Sequence, residues 1–165
     1  MTRLARAGAV LSAVVTALGS AALVAGASVS AAKPNPCKLL KSAEIEKVLG
    51  QDVGKAKKGL TTAVTRTCEW KVQPSAEFPD GVIDTFIQTV GAKIAYDTNS
   101  KDAAVEKVPQ LGKAYYDERL DAVTVLKGKV LLNVQGVFLS TQAGVGAVHR
   151  KDALIDLAKI ARRRV

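Results

Sequence analysis

The chain predicts an α+β domain: an antiparallel sheet with helices packed on one face, held by one disulfide. Three observations carry that reading. The patterns run helix, strands, short helix, strands, helix, an order that segregates helices from a sheet built of neighbouring strands. Residues 64–72 alternate with a period of two around Thr67-Cys68-Glu69-Trp70, as a strand with one buried face does. Two cysteines are present, Cys37 and Cys68, both downstream of an export-like N-terminus; in an oxidising compartment such a pair joins.

The elements follow in order. Residues 33–36 form a short Pro-rich lead. Residues 39–50 read as a helix with its punctuation, with Ser42 as its cap, Glu44 and Glu46 near its positive end, Ile45, Val48 and Leu49 on one face, and Gly50 as its stop. Ile45 stands three residues after Ser42, where a capping box would need Glu or Gln. Residues 51–60 are rich in Gly and Lys and read as a loop or a ragged edge strand. In the strand 64–72, Val64, Cys68, Trp70 and Val72 share a face with Arg66, whose stem packs at the sheet margin while its head reaches water.

Residues 74–81 are a loop ending in turn residues. Residues 82–90 are rich in strand formers, yet both alternating sets mix apolar and polar residues, so neither face is marked as inward. A short helix is expected over 92–96, interrupted at Asn99-Ser100. The turn Pro109-Gln110-Leu111-Gly112 leads into Ala114-Tyr115-Tyr116. Residues 120–126 and 130–138 flank Lys127-Gly128-Lys129, a hairpin signal in which glycine supplies the positive φ. Val130, Leu132, Val134 and Phe138 oppose Asn133 and Gln135 on the second arm. After a Gly-rich loop over 140–150, residues 151–163 form the last helix, with Leu154, Ile155, Leu157, Ala158 and Ala161 as its apolar stripe.

Domain organisation follows from the N-terminus. Arg3 and Arg6 precede residues 7–32, which carry no charge and end in small residues, the pattern of a secretory signal peptide. Cleavage after Ala31 or Ala32 is expected, leaving one domain over 33–165. A retained anchor is the rival, since the uncharged run is long enough to span a bilayer; only eight of its 26 residues are strongly apolar, which favours cleavage. Pro34-Asn35-Pro36 before Cys37 is not the small-residue context of a lipidated cysteine, so no lipid is expected there.

The formal charge is +9 over the 165 residues. Such a balance favours anionic partners, among them phospholipid head groups and envelope polymers. Lys55, Lys57 and Lys58, and separately Arg162, Arg163 and Arg164, are the candidate anion-binding residues; each group is also what a solvated face or a helix tail looks like. The seven aromatic residues are dispersed rather than interleaved with the bases, which argues against nucleic acid.

Signals for catalysis are weak. His149 is the single histidine, too few for a metal site, and it is expected to cap or flank the last helix. No Gly-x-Ser-x-Gly elbow occurs. Gly144-Val145-Gly146 begins like a dinucleotide fingerprint, but His149 stands at the third glycine. Asp80, Asp117 and Glu118 have no spacing that would pair carboxylates for glycoside cleavage. A reactive Cys37 with His149 as base would need a third group and an unpaired cysteine. Trp70, two residues from Cys68, is expected to pack over the disulfide, with ligand stacking as its other reading.

Pro36-Cys37-x-Leu39-Leu40-x-Ser42-x-Glu44, Leu49-Gly50, Cys68-Glu69-Trp70, Val108-Pro109-x-Leu111-Gly112-x-Ala114, the hairpin Gly128 and a terminal Leu-rich helix occur in that order. Together they resemble an uncharacterised family of secreted actinobacterial proteins, many of them lipoproteins, described as a domain of unknown function. Where such relatives tend to show Gly-x-Gly-Asp, this chain has Gln110-Leu111-Gly112-Lys113. The resemblance implies paired cysteines and an envelope location, and adds no catalytic residue. The expected function is an exported, non-catalytic cell-envelope module that binds an anionic polymer, a phospholipid or another envelope protein, with no cofactor. The alternative is a small secreted enzyme whose site is not recognisable from sequence.

Overall fold

A computed structural model describes residues 34–74, 80–138 and 147–165, the side chains of 147–149 excepted. The expected signal segment, and residues 75–79 and 139–146 of the stretches expected to be strand ends and loops, therefore lie outside the described residues, as does the His149 side chain.

Seven antiparallel strands form one sheet: β1 (Lys57–Thr61), β2 (Thr65–Val72), β3 (Gly81–Gln88), β4 (Val105–Lys107), β5 (Ala114–Asp117), β6 (Ala122–Lys127) and β7 (Val130–Phe138), in the spatial order β1-β2-β3-β7-β6-β5-β4. Among the described residues three α-helices accompany it: α1 (Ser42–Leu49), α2 (Ala92–Asn99) and α3 (Ala147–Arg162). The α+β class with an antiparallel sheet is as the sequence predicts. The long β3–β7 pairing, from Gly81 opposite Phe138 to Gln88 opposite Leu131, joins the two halves of the chain at the sheet centre.

Because side chains alternate across a strand, this register divides the sheet into two unlike faces. Cys68, Trp70, Val72, Ile83, Ile87, Val123, Val125, Leu132 and Val134 point to one face and form the main core with Ile45 and Leu49 of α1 and Leu154, Leu157, Ala158 and Ala161 of α3. Cys37, in a 3-10 turn over Pro36–Lys38, is bonded to Cys68 on this same face. Thr85 is the polar intruder there, and its hydroxyl donates to the Pro36 carbonyl at 3.3 Å. Trp70 is wholly buried beside Cys68 on this face, as its expected packing role requires.

The opposite face is only partly covered. α2 packs on it at one corner, placing Ala92, Ala95 and Tyr96 against Leu126 and Leu131, with the Tyr96 ring 5.7 Å from that of Tyr115. Helices on one face thus describes α1 and α3, while α2 lies on the other. Leu126 and Leu131 on that face give α2 its apolar seat, and its eight residues cover one corner and leave the rest open.

Local details refine the expected boundaries. The cap of α1 is Lys41, one residue before Ser42, so Glu44 occupies the third helical position and accepts a hydrogen bond from the Lys41 amide at 2.9 Å. Ser42 instead ties the helix to the following loop, its hydroxyl donating to the Gly54 carbonyl at 2.7 Å. α3 begins at Ala147 rather than Lys151, so His149 lies within the helix backbone. Val64 falls outside β2 and is exposed, because the chain is already turning toward β1 there. Gly50 and Gly128 adopt φ of 68° and 59°, the left-handed region that a helix stop and a tight hairpin turn need.

Candidate functional site

Asp84, Phe86 and Gln88 of β3, Asn133 and Gln135 of β7, and Thr124 of β6 all project from the open face, as the cross-strand register requires. Phe86 pairs across the strands with Asn133, which in turn pairs with Thr124 and, one strand on, Tyr115. The neighbouring row runs Lys57, Glu69, Asp84, Gln135, Ala122, Asp117. Polar side chains at the centre of a seven-stranded sheet are costly to bury unsatisfied, and here Gln88, Thr124, Asn133 and Gln135 line a cleft of about 450 Å³. Ala95 and Asn99 of α2 form one wall, and Asp102, Asp117, Arg119 and Leu120 form the rim. That size lies within the range of small-molecule sites.

The polar groups are held in fixed orientations. Asn133 donates through Nδ2 to the Thr124 hydroxyl at 2.9 Å. Gln135 donates through Nε2 to the Leu120 carbonyl at 2.9 Å, and Gln88 to the Val90 carbonyl at 2.7 Å. Each carboxamide is thereby anchored by its nitrogen, which leaves its oxygen as an acceptor.

Charge at the rim is internally matched. Arg119 grips Asp117 through Nε at 3.0 Å and Nη2 at 2.9 Å, and reaches Asp102 with Nη2 at 2.9 Å. The Asp117 carboxyl, almost fully buried, is held below its ordinary range by the Arg119 hydrogen bonds, although burial opposes this. Asp102 is likewise lowered, first by the Ala104 amide and then by Arg119. Asp84 behaves oppositely: burial, reinforced by the Glu69 carboxylate across the β2–β3 ladder, pushes its carboxyl up. Glu69 has Lys57 at 3.4 Å, whereas no cation pairs with Asp84 among the described residues.

The residues singled out by sequence are distributed differently. Lys57 and Lys58 lie on β1, an exposed edge strand paired only with β2, and Lys55 precedes it. Lys side chains on such an edge discourage pairing with another chain. Arg162 ends α3, which packs on β6, β7 and α1, so the two basic groups belong to different parts of the fold. Arg164 is engaged: it donates to the Leu39 carbonyl and to Glu44 Oε2, each at 2.7 Å, and again to Glu44 Oε1. Arg163 is exposed. Lys127 closes the same corner by donating to the Arg162 and Val165 carbonyls at 3.0 and 2.6 Å, a cation at the negative helix end.

Cys37 and Cys68 form the disulfide, and no free cysteine is present, so the reactive-thiol alternative has no thiol. Among the described residues, no group of three or more His, Cys, Asp and Glu could hold a metal ion, and no helix is long and apolar enough to cross a membrane. A larger cavity, about 690 Å³, lies between the end of β7 and α3 beside Tyr116, Asp121 and Arg150.

Sequence reasoning missed the open-face cleft because its polar residues come singly from several elements. The signals were the mixed alternation over 82–90 and the Asn133/Gln135 set opposite an apolar one. No family model, curated protein or solved structure matches the chain.

Proposed function

We propose that this protein is an exported, non-catalytic binding module of the cell envelope whose ligand sits in the cleft between α2 and the open face of the sheet. The observation that carries the reading is the division of the sheet: one face is an apolar core, and the other presents oriented carboxamides and hydroxyls around a cleft of about 450 Å³. The disulfide, the basic and then uncharged N-terminus, and the resemblance to secreted actinobacterial envelope proteins support export. The cleft supports binding rather than catalysis, since Asp102 and Asp117, its lining carboxylates, are both clamped by Arg119 and neither is poised to transfer a proton. It also supports a partner reached through the open face rather than through the two basic groups.

The test is retention of material from envelope fractions on the immobilised mature domain. Ala95→Trp fills the cleft from the α2 wall and should abolish retention, while Lys55→Gln, Lys57→Gln and Lys58→Gln together should preserve it. Retention that survives Ala95→Trp and disappears with the lysine changes would transfer the function to the basic edge.

A further inference from the structure

The chemistry of the cleft is opposite in sign to that of the chain. Although the sequence carries a formal charge of +9, the cleft is lined by two carboxylates, Asp102 and Asp117, and one cation, Arg119, which both carboxylates already engage. Among the described residues no lysine lines it, so an anionic ligand would enter without a free counter-charge from them. The polar groups that remain include the carbonyl oxygens of three carboxamides, each of which also keeps one amide hydrogen. Gln88, Asn133 and Gln135 are tethered through their nitrogens, so their carbonyl oxygens keep both lone pairs.

Asp84 completes this arrangement. It is not itself part of the cleft lining but stands two residues before Phe86 on β3 and directly across from Gln135 on β7, both of which line the cleft. It is half-buried, lacks a cationic partner among the described residues, and has a second carboxylate, Glu69, as its cross-strand neighbour. The charged groups facing it are Glu69 and, farther along β2 and β1, Lys71 and Lys57, of which Lys57 is on Glu69. Burying a carboxylate without a partner costs stability, and its raised pKa records that cost. A fold gains nothing from such a group at its sheet centre; a binding site does, because an arriving cation supplies the missing partner.

We infer that the cleft recognises a ligand bearing a primary ammonium group, which Asp84 pairs and the carbonyl oxygens of Gln135 and Asn133 help to hold. An ammonium offers three donors and no acceptor, and the Asp84 carboxylate and these carbonyl oxygens are acceptors for it. Phe86, half-buried in the lining, offers ring surface for the body of the ligand. This inference rests on the cleft being the binding site and goes beyond it by fixing the ligand class. The amine could belong to an amino sugar or to a lysine-like side chain, and the two are separated by the probes.

The experiment titrates the isotopically labelled mature domain with matched pairs that differ only at the amine: glucosamine against glucose, and Nα-acetyl-lysine amide against Nα-acetyl-norleucine amide. The expected result is amide-shift changes over β3, β6, β7 and α2 with the amine member of at least one pair, and none with its neutral partner at the same concentration. Which pair responds identifies the source. Asp84→Asn should weaken that binding by about tenfold or more, the loss expected for one charge-assisted hydrogen bond, while Asp156→Asn on the far face leaves it unchanged. Equal response within each pair, no response in either, or full binding by Asp84→Asn would overturn the ammonium assignment. If envelope material is still retained in an Ala95→Trp-sensitive way, the cleft survives as the site and only its ligand class is wrong.

Discussion

Replacing Cys37 and Cys68 together by alanine removes a crosslink between residues 31 apart. In the chain-entropy treatment, closing a loop of that length lowers the unfolded-state entropy by about 12 cal/mol/K, or about 3.7 kcal/mol at 25 °C. Cys68 is fully buried in the main core and Cys37 packs against it, so the alanines also forfeit some packing. The bond fastens the Pro36–Lys38 turn to the middle of β2, and with it the Thr85–Pro36 hydrogen bond and the approach to α1. For a domain of about 130 residues this corresponds to a fall of about 10–15 °C in Tm. Urea unfolding of the oxidised and double-alanine proteins, followed by the fluorescence of Trp70, measures it directly. The midpoint should drop while the transition stays cooperative. A change below about 1 kcal/mol would refute the view that the turn and β2 depend on this bond.

Three further outcomes follow. Asp84→Asn should raise stability at pH 7. The folded-state pKa of Asp84 is raised, so wild type loses stability as pH climbs through it, and the advantage of the asparagine should vanish below about pH 4, where the aspartate is protonated in both states; thermal melts across pH 3–8 check this. Arg119→Gln should act in the opposite sense. Asp117 has a lowered folded-state pKa because of Arg119, so the stability it contributes is complete above about pH 4 and lost as pH falls through the folded value, and the variant should be impaired at pH 7 and nearly equal to wild type at the acid end. Arg164→Ala should cost about 1 kcal/mol, after allowing for solvent screening of its Glu44 pair, whereas Arg163→Ala, exposed, should cost close to nothing in the same urea assay.

Much of the fold was legible because its signals are local. The α1 stop at Gly50, the alternation of β2, the Lys127-Gly128-Lys129 turn and the stripe of α3 each depend on neighbours within a few residues. What escaped depends on partners far along the chain. β3 resisted assignment because both its faces are engaged, one by the core and one by the cleft, and because Thr85 on the core side is satisfied by Pro36, 49 residues away. The side on which α2 lies follows from Leu126 and Leu131, which the hairpin brings to the open face. Basic runs announce themselves in sequence and so drew the site assignment, but Arg164 closes α3 onto α1 and Lys57 neutralises Glu69. The cleft residues, single amides and hydroxyls on separate strands, become a group only through the register of β3, β7 and β6.

That the open face of the sheet is the working surface is tested most directly by amide hydrogen exchange of the protein, alone and mixed with envelope extract. The account predicts slowed exchange confined to β3, β7, β6 and α2, with the β1 edge and the end of α3 unchanged. Slowing at β1 and the α3 terminus, with β3 and β7 unaffected, would contradict it.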